Sequence, residues 1–384
     1  MTGAVRATGG FVYPDAPFLV YWEITRACDL ACRHCRAEAV AQRNPMELST
    51  SEAKGLLEKI REFGDRTPHL VLTGGDPLKR PDFSYILDYG DRLGLRMSVA
   101  PSGTYALTRE VFQLFWASGV ESVALSLDGS SREKHDGFRG IPGCFDWTVE
   151  AARLAKEEGL ALQINTLVTA ETVEDIPEIH RLVSGLGLMR WSLFYLIQVG
   201  RGQGLREITP DQCERLHHWL YDISKEAPFI VATTEAPHFR RVAFRRMREE
   251  GIPMARIFKT PVGRGFGIRD GNGIMFVSHT GEVYPSGFLP VAAGNVRRAH
   301  IAEIYRKSEV FKQVRQTTLF KGRCGSCEFK AICGGSRARA FAAYGDYMAE
   351  DPACSYQPGK KSCLINRCKE AENGSLNFPF LHIG

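Results

Sequence analysis

Short apolar runs alternate with amphipathic segments along the first 200 residues of the chain. The apolar runs are rich in β-branched residues and are predicted to be strands, at 18–25, 69–73, 95–100, 122–127, 160–168 and 190–196. The intervening segments have the apolar spacing of helices, at 83–93, 109–118, 147–158 and 176–186. A further helix is predicted to begin after Ser49, where Glu52 would complete a capping box.

Alternating strands and helices predict an α/β fold, with a parallel sheet connected by right-handed crossovers. Such a sheet either closes partly into a barrel or stays open as a doubly wound sheet. In both cases the functional site lies at the C-terminal ends of the strands.

Beyond Gly200 the pattern changes. Helices are predicted at 210–224 and 239–250, and the segments 274–278 and 282–284 are predicted to form a β-hairpin. A glycine-rich stretch at 263–273 predicts a loop that is a candidate lid. We therefore divide the chain into a leading segment, an α/β unit, a connecting region and a C-terminal domain, at 1–17, 18–225, 226–273 and 274–384.

The composition excludes several classes of protein. No run of 18 apolar residues exists, and the first ten residues show no signal peptide, so a soluble cytoplasmic protein without a membrane partner is expected. A net charge of +5, from 49 basic and 44 acidic residues, is too balanced to predict nucleic-acid binding. Eleven cysteines without a secretion signal favour bound metal in a reducing compartment over a disulfide framework.

The most informative motif is a group of three cysteines directly after the first predicted strand. Cys28, Cys32 and Cys35 have the spacing Cys-x3-Cys-x2-Cys. Three thiolates on one loop can hold three irons of a four-iron cluster and leave the fourth iron open to a ligand that is not protein. The alternative is a zinc loop or three unrelated thiols.

This motif resembles that of the radical SAM superfamily, whose members bind S-adenosylmethionine (SAM) at the open iron. The resemblance implies a [4Fe–4S] cluster, one-electron cleavage of SAM to a 5′-deoxyadenosyl radical, and a reductant such as flavodoxin or ferredoxin. It also decides between the two sheet geometries, in favour of a partial (β/α)6 TIM-like barrel.

Further segments extend the resemblance and imply SAM contacts. His34 stands in the position that the family places near the adenine, and Gly74-Gly75-Asp76-Pro77 resembles a Gly-Gly-Glu-Pro motif whose carbonyls meet the SAM ammonium. Aspartate at position 76 is a departure, because its side chain is one methylene shorter than glutamate. The remaining predicted SAM-pocket residues are Ser126, Asp128 and Asn165.

A second cysteine group lies near the C-terminus. Cys324, Cys327, Cys333 and Cys354 supply four thiolates, which suit zinc or a closed [4Fe–4S] cluster. The segment resembles the SPASM auxiliary domain of radical SAM enzymes, which favours iron. Ser286 stands where that family usually has cysteine, and the segment 333–337 lacks another cysteine, which together imply a shortened, twitch-like domain with one auxiliary cluster.

The other cysteines carry weaker predictions. Cys144 is interpreted as a buried thiol, with hydrogen-atom donation to a substrate radical as the catalytic alternative. Cys213 is interpreted as a small core residue. Cys363 and Cys368 are interpreted as free thiols or as substitute cluster ligands.

The order of the motifs most resembles the group that contains the heme synthase of the siroheme-dependent route and the heme d1 maturation protein. That resemblance implies removal of side-chain carbon from a tetrapyrrole, a decarboxylation in the heme synthase case. Arginines that could bind the carboxylates are Arg240, Arg241, Arg264 and Arg269. The alternatives are maturation of a ribosomally made peptide, epimerisation or dehydrogenation of a sugar or aminoglycoside, and an iron–sulfur electron carrier.

Overall fold

A single sheet organises the computed structural model, which describes residues 11–64 and 66–359. Within these residues the strands are β1 (Leu19–Thr25), β2 (His69–Gly74), β3 (Met97–Val99), β4 (Val120–Ser126), β5 (Ala161–Val168), β6 (Arg190–Tyr195), β7 (Ile230–Thr234), β8 (Ile274–Val277), β9 (Glu282–Tyr284) and β10 (Gly294–Asn295). They are ordered β10-β9-β8-β1-β2-β3-β4-β5-β6-β7. Neighbours from β8 through β1 to β7 are parallel, and β9 and β10 are antiparallel additions.

Helices follow most of the strands. They are α1 (Thr50–Arg61), α2 (Phe83–Arg92), α3 (Arg109–Ala117), α4 (Arg132–Arg139), α5 (Cys144–Glu157), α6 (Ile176–Ser184), α7 (Pro210–Ile223), α8 (His238–Glu249), α9 (Met254–Ile257), α10 (Pro261–Arg264), α11 (Ile301–Lys307), α12 (Glu309–Arg315), α13 (Gly322–Ser326) and α14 (Arg337–Tyr344). Within the described part of the chain, none has the length and apolar character to cross a bilayer.

The predicted α/β fold is confirmed. All six predicted strands are present, and the sheet of the described residues is mostly parallel and open, because its two edge strands, β10 and β7, do not pair with each other. The capping box at the start of α1 is also present, since Ser49 Oγ accepts from the amide N of Glu52 and the Glu52 carboxylate accepts from the amide N of Ser49.

Two parts of the sheet differ from the sequence prediction. The region 226–273 was predicted to be a connection, but it contains β7, which pairs with β6 from Arg190↔Ile230 onward. The strand β8 was predicted only as half of a hairpin, but it also pairs in parallel with β1, from Leu19↔Ile274. Both errors have the same cause, because a strand of four or five residues has too little periodicity to reveal its partners.

The sheet has an apolar outer face and a polar inner face. Val20, Trp22 and Ile24 of β1 are fully buried in the main core under the helices. Side chains alternate along a strand, so Tyr21 and Glu23 lie on the opposite, inner face. Polar residues from neighbouring strands share that inner face, which is where the predicted site residues are found.

Candidate active site

The three cysteines of the first motif lie on the loop between β1 and α1, at the C-terminal end of β1. The amide N of Cys28 donates to Val40 O at 2.9 Å, and this bond closes the base of the loop. Cys28 and Cys32 are buried, Cys35 is half-buried, and all three belong to one apolar cluster. The fold therefore gathers the three sulfurs as the spacing predicts.

Each of the three sulfurs accepts a hydrogen bond from nitrogen. The donors are Leu30 N to Cys28 at 3.3 Å, Ala39 N to Cys35 at 3.4 Å and Arg139 Nη1 to Cys32 at 3.6 Å. Burial raises the pKa of the Cys28 and Cys32 thiols, so a bound cation is needed to hold them as thiolates. Buried sulfurs with N–H donors fit the ligand set of an iron–sulfur cluster.

Arg139 also anchors the predicted site residue Asp128. Its Nη2 lies 2.5 Å from Asp128 Oδ2, and the other carboxylate oxygen accepts from Leu167 N at 2.8 Å. Burial alone would raise the pKa of Asp128, but the Arg139 guanidinium holds it below its usual range. The Asp128 carboxylate is thus engaged by protein, and any contact with SAM would come in addition to this pair.

His34 lies on the other side of Asp128. Its Nε2 is 3.9 Å from Asp128 Oδ2, and its ring stacks on Phe138 with centroids 5.1 Å apart. Burial lowers the pKa of His34 to about 4, so the ring is neutral near pH 7. Its Nδ1 is buried and has no hydrogen-bond partner among residues 11–64 and 66–359, which fits a site that a bound molecule completes.

Gly74 and Gly75 are required by the close approach of β2 to the end of β1. A Cβ at Gly74 would lie 2.2 Å from Thr25 O, and one at Gly75 would lie 2.4 Å from Ala27 O. The Gly75 carbonyl accepts from Ser102 Oγ at 2.9 Å. A carbonyl oxygen has two lone pairs, so this bond leaves room for the predicted contact with the SAM ammonium.

Asp76 is buried at the start of a 3-10 turn. Its carboxylate accepts from Leu78 N at 3.2 Å, and burial raises the pKa of this carboxyl to about 6. Ser102 lies beside it, with Oγ 3.2 Å from Cys28 Sγ. Sequence reasoning missed Ser102, because a single serine in a loop carries no pattern.

Ser126 and Asn165 are neighbours across the sheet. They are paired in the register of β4 and β5, and Asn165 is paired with Ser192 of β6. Gln163 donates to Asn165 Oδ1 at 2.7 Å, so the two amides partly satisfy each other. These polar side chains lie on the inner face of the sheet, and the contact of Ser126 and Asn165 with SAM stays a prediction.

Cys144 is the first residue of α5 and packs in the same apolar cluster as Cys28 and Cys32. Its Sγ donates to Gly103 O at 3.1 Å, and burial raises the pKa of its thiol to about 11. The buried, hydrogen-bonded thiol has the features of the structural interpretation, and the hydrogen-donor role stays untested.

The second cysteine group lines one pocket. Its members are Cys324, Cys327, Cys333 and Cys354. Three of the sulfurs accept backbone N–H bonds, from Asp351 to Cys324, Phe329 to Cys327 and Gly335 to Cys333, at 3.4–3.5 Å. The grouping follows the spacing, and the metal that it holds stays a prediction.

Ser286, which stands where the family usually has cysteine, and Ser336, in the segment that lacks another cysteine, are both engaged by other protein groups. Ser286 Oγ accepts from Phe288 N at 3.3 Å, and Ser336 Oγ donates to the Glu235 carboxylate at 2.5 Å. Both hydroxyls are buried. The remaining candidate ligands, Cys363 and Cys368, lie outside the described residues.

An ion-pair network ties the cysteine loop to the sheet. Glu23 of β1 lies 2.7 Å from Arg36 Nη2 and 2.7 Å from His279 Nδ1. Burial would raise the pKa of Glu23, but Arg36 and His279 lower it to about 2. Arg36 also stacks on Phe276, 4.6 Å from the ring centroid. Glu23 could have been noticed as the one charge within an apolar run.

The predicted carboxylate-binding arginines are mostly occupied. Arg241 is buried and pairs with Glu214, with Nη1 2.8 Å from Oε1. Arg240 and Arg264 donate to backbone carbonyls. Arg269 also donates to a backbone carbonyl, but two of its buried nitrogens, Nε and Nη2, have no partner in the part of the chain that the structure describes. Arg241 was therefore a wrong guess, because its charge is already neutralised by a buried carboxylate.

Comparison with known proteins agrees with this geometry. Residues 22–183 match the model of the Radical SAM superfamily. AdoMet-dependent heme synthase of Oleidesulfovibrio alaskensis is 41% identical over 89% of this chain and 88% of that protein. Its counterpart from Methanosarcina barkeri is 40% identical over 90% and 99%. The solved structure of Streptococcus suis SuiB bound to S-adenosylmethionine shares the fold, with a TM-score of 0.68 at 16% identity over 88% of this chain and 77% of that one.

A mostly parallel, open sheet with three clustered thiols at the end of β1 is typical of a radical SAM enzyme, and this chain belongs to the radical SAM superfamily. Within it, the chain is similar along nine tenths of its length to AdoMet-dependent heme synthases. The family implies a [4Fe–4S] cluster and SAM, and the three sulfurs with their N–H donors and the unpartnered His34 Nδ1 fit both.

Proposed function

We propose that this radical SAM enzyme decarboxylates a carboxylate side chain of an iron-bearing tetrapyrrole. The observation that carries the proposal is the similarity to AdoMet-dependent heme synthases, at 40–41% identity over about nine tenths of both chains. Similarity to an Fe-coproporphyrin III synthase, at 29% identity over 88% of each chain, supports the same class of substrate.

Cys28, Cys32 and Cys35 would hold a [4Fe–4S] cluster that supplies the electron for SAM cleavage. The contribution of the surrounding protein is electrostatic and steric. Arg139 donates to the Cys32 sulfur and keeps Asp128 ionised, and the apolar packing of the loop excludes water. Exclusion of water protects a radical from side reactions.

Arg201 is the group that we propose for binding a substrate carboxylate. It lies on the loop after β6, where its amide N donates to Cys35 O at 3.1 Å, so it lies beside the cysteine loop at the C-terminal end of the sheet. Its Nη1 donates to Ala39 O, but Nε and Nη2 are buried without partners among the described residues. Two adjacent free N–H groups match a carboxylate.

We also propose that Cys324, Cys327, Cys333 and Cys354 hold a single auxiliary [4Fe–4S] cluster. Ser286, which stands where the family usually has cysteine and is engaged by Phe288 N, supports one auxiliary cluster rather than two. Anaerobic reconstitution should give about eight irons per chain, and about four after three auxiliary cysteines are replaced by alanine. About twelve irons would contradict the count, and zinc at the auxiliary site would contradict its identity.

The function is tested by incubating the reconstituted enzyme with SAM, a strong reductant and iron-coproporphyrin III. We expect the porphyrin to stimulate release of 5′-deoxyadenosine and to lose carbon dioxide, as followed by mass spectrometry. The Cys28/Cys32/Cys35→Ala variant should release no 5′-deoxyadenosine. Esterified porphyrin is the substrate control, because its carboxylates are blocked and it should not react.

The outcomes of this experiment test the enzyme class and the identity of the substrate separately. Release of 5′-deoxyadenosine without any change to the porphyrin would agree with a radical SAM enzyme and contradict a tetrapyrrole as its substrate.

Arg201 is tested by replacement with lysine. Arg201→Lys should raise the KM for porphyrin and leave the KM for SAM unchanged, because lysine offers a point charge without the two-pronged N–H geometry. A raised KM for SAM instead would assign Arg201 to the cofactor.

A further inference from the structure

A buried group of one cysteine and two histidines lies between α7 and α8, apart from the three-cysteine loop. Cys213 and His217 are four residues apart on α7, which places both on the same face of the helix. His238 is the first residue of α8. One ligand atom from each of the three lies within 4.8 Å of the others, and all three side chains have no exposed surface.

Hydrogen bonding leaves this group largely unsatisfied. Cys213 Sγ is 3.0 Å from His238 Nε2, which accounts for one contact. Both ring nitrogens of His217, and Nδ1 of His238, are buried without a hydrogen-bond partner among the described residues. The contact between Cys213 and His238 does not explain why both ring nitrogens of His217 are buried without partners. Buried polar atoms without partners destabilise a fold, and a bound ligand would pair them.

We propose that Cys213, His217 and His238 bind one zinc ion. Zinc takes thiolate sulfur and imidazole nitrogen at about 2.3 and 2.0–2.1 Å, so ligand atoms in a tetrahedral site are separated by about 3.3–3.6 Å. Cys213 Sγ and His238 Nε2 are 3.0 Å apart and all three ligand atoms lie within 4.8 Å of one another, so adjustments of these side chains would bring them to such separations. The cysteine and histidine spacing on α7 supplies two ligands from one rigid element.

The surroundings of the group suit a dication. His238 Nδ1 is 3.7 Å from Asp351 Oδ2, so a small movement would let this carboxylate accept the hydrogen bond that orients a metal-binding histidine. Two ion pairs lie beside the group, Arg241–Glu214 and Arg339–Asp351, and their charges cancel. A Cys213 thiolate would add one negative charge, which zinc would offset.

The position of the zinc would link two parts of the molecule. His238 also lines the pocket of the four C-terminal cysteines, and Asp351 donates its amide N to Cys324 Sγ at 3.4 Å. The ion would fix α7 against α8 and hold His238 and Asp351 in place beside that pocket. The proposal of this zinc site does not depend on the proposed tetrapyrrole reaction.

The test is the zinc content and zinc environment of the full-length protein, prepared anaerobically with both clusters and incubated with zinc before desalting. We expect about one zinc per chain, and an X-ray absorption spectrum at the zinc edge that shows one sulfur and two imidazoles. His217→Phe keeps the ring volume but removes a ligand, so zinc should fall at least about tenfold while the iron content is unchanged.

His180→Phe is the matched control, because His180 also packs in an aromatic cluster, against Trp191 and Trp219, but lies outside the group. It should retain the zinc. Wild-type protein without stoichiometric zinc, zinc retained in folded His217→Phe, or zinc surrounded by four sulfurs would each overturn the proposal. If His217→Phe loses its fold, the wild-type absorption spectrum decides alone, because a shell of one sulfur and two imidazoles matches no other described cysteine group.

Discussion

Replacing Arg139 by methionine tests the core of the site geometry. The guanidinium is 2.5 Å from Asp128 Oδ2, and both side chains are buried. Methionine would fill much of the volume but leave the Asp128 carboxylate without its counter-charge. Removing one partner of a buried ion pair costs about 3–5 kcal/mol, because the other charge stays desolvated.

The loss can be measured as a fall in the unfolding temperature of the anaerobically reconstituted protein, followed by circular dichroism at one fixed heating rate. An entropy of about 2.1 cal/mol/K per residue gives about 0.8 kcal/mol/K for a chain of this length. The variant should therefore unfold about 4–6 °C below the wild type.

Arg132→Met is the matched control, because Arg132 pairs with Asp146 at 2.7 Å but the two side chains are 72% and 51% exposed. Exposed pairs contribute at most about 1 kcal/mol, so its shift should be about 1 °C or less. Adding Asp128→Asn to Arg139→Met should recover part of the loss, since no buried charge remains unpaired. A shift for Arg139→Met no larger than that of the control would refute the reasoning.

Four other replacements give direct tests. Gly75→Ala should reduce the yield of folded, iron-loaded protein, because its Cβ would lie 2.4 Å from a backbone oxygen, whereas Gly55→Ala in open space should not. Burial raises the pKa of Asp76 to about 6, so the folded chain binds this proton more tightly than the unfolded chain. The carboxyl therefore lowers the stability of the fold increasingly as the pH rises from about 4 to 6. Asp76→Asn should raise the unfolding temperature at pH 7.5, and no rise would contradict the assigned burial cost. Asn165→Ala should weaken SAM binding in a calorimetric titration, and unchanged affinity would remove it from the pocket. Cys144→Ala should leave the rate of 5′-deoxyadenosine release unchanged, and a fall in product with continued SAM cleavage would support a hydrogen-donor role instead.

Sequence pattern predicted the parts of the fold that local periodicity determines. The six strands of the N-terminal region each carry enough apolar residues to be recognised alone, and the capping box at Ser49 depends on residues three positions apart. The strand β7 was missed because its five residues show little alternation. The pairing of β8 with β1 joins segments about 250 residues apart, and no local signal encodes it.

The candidate site also has a part that the sequence predicts and a part that it does not. The cysteine groups were predictable because ligand spacing is a local property, and both groups are gathered in the fold. The residues that support them were not predictable. Arg139 at the end of α4, and Ser102 and His279 on loops, reach the cysteine loop or its neighbours from distant parts of the chain, so their roles depend on tertiary structure that one sequence does not display.

The parallel pairing of β8 with β1 has a consequence for biosynthesis. While the chain emerges from the ribosome, β1 can pair with β2 early, but its other edge waits for residues made about 250 positions later. At about 5–20 residues per second the delay is about 12–50 s. During that time an apolar strand edge beside three cysteines is unprotected, and such edges promote aggregation. Slow translation or a shortage of chaperones should therefore reduce the yield of soluble enzyme.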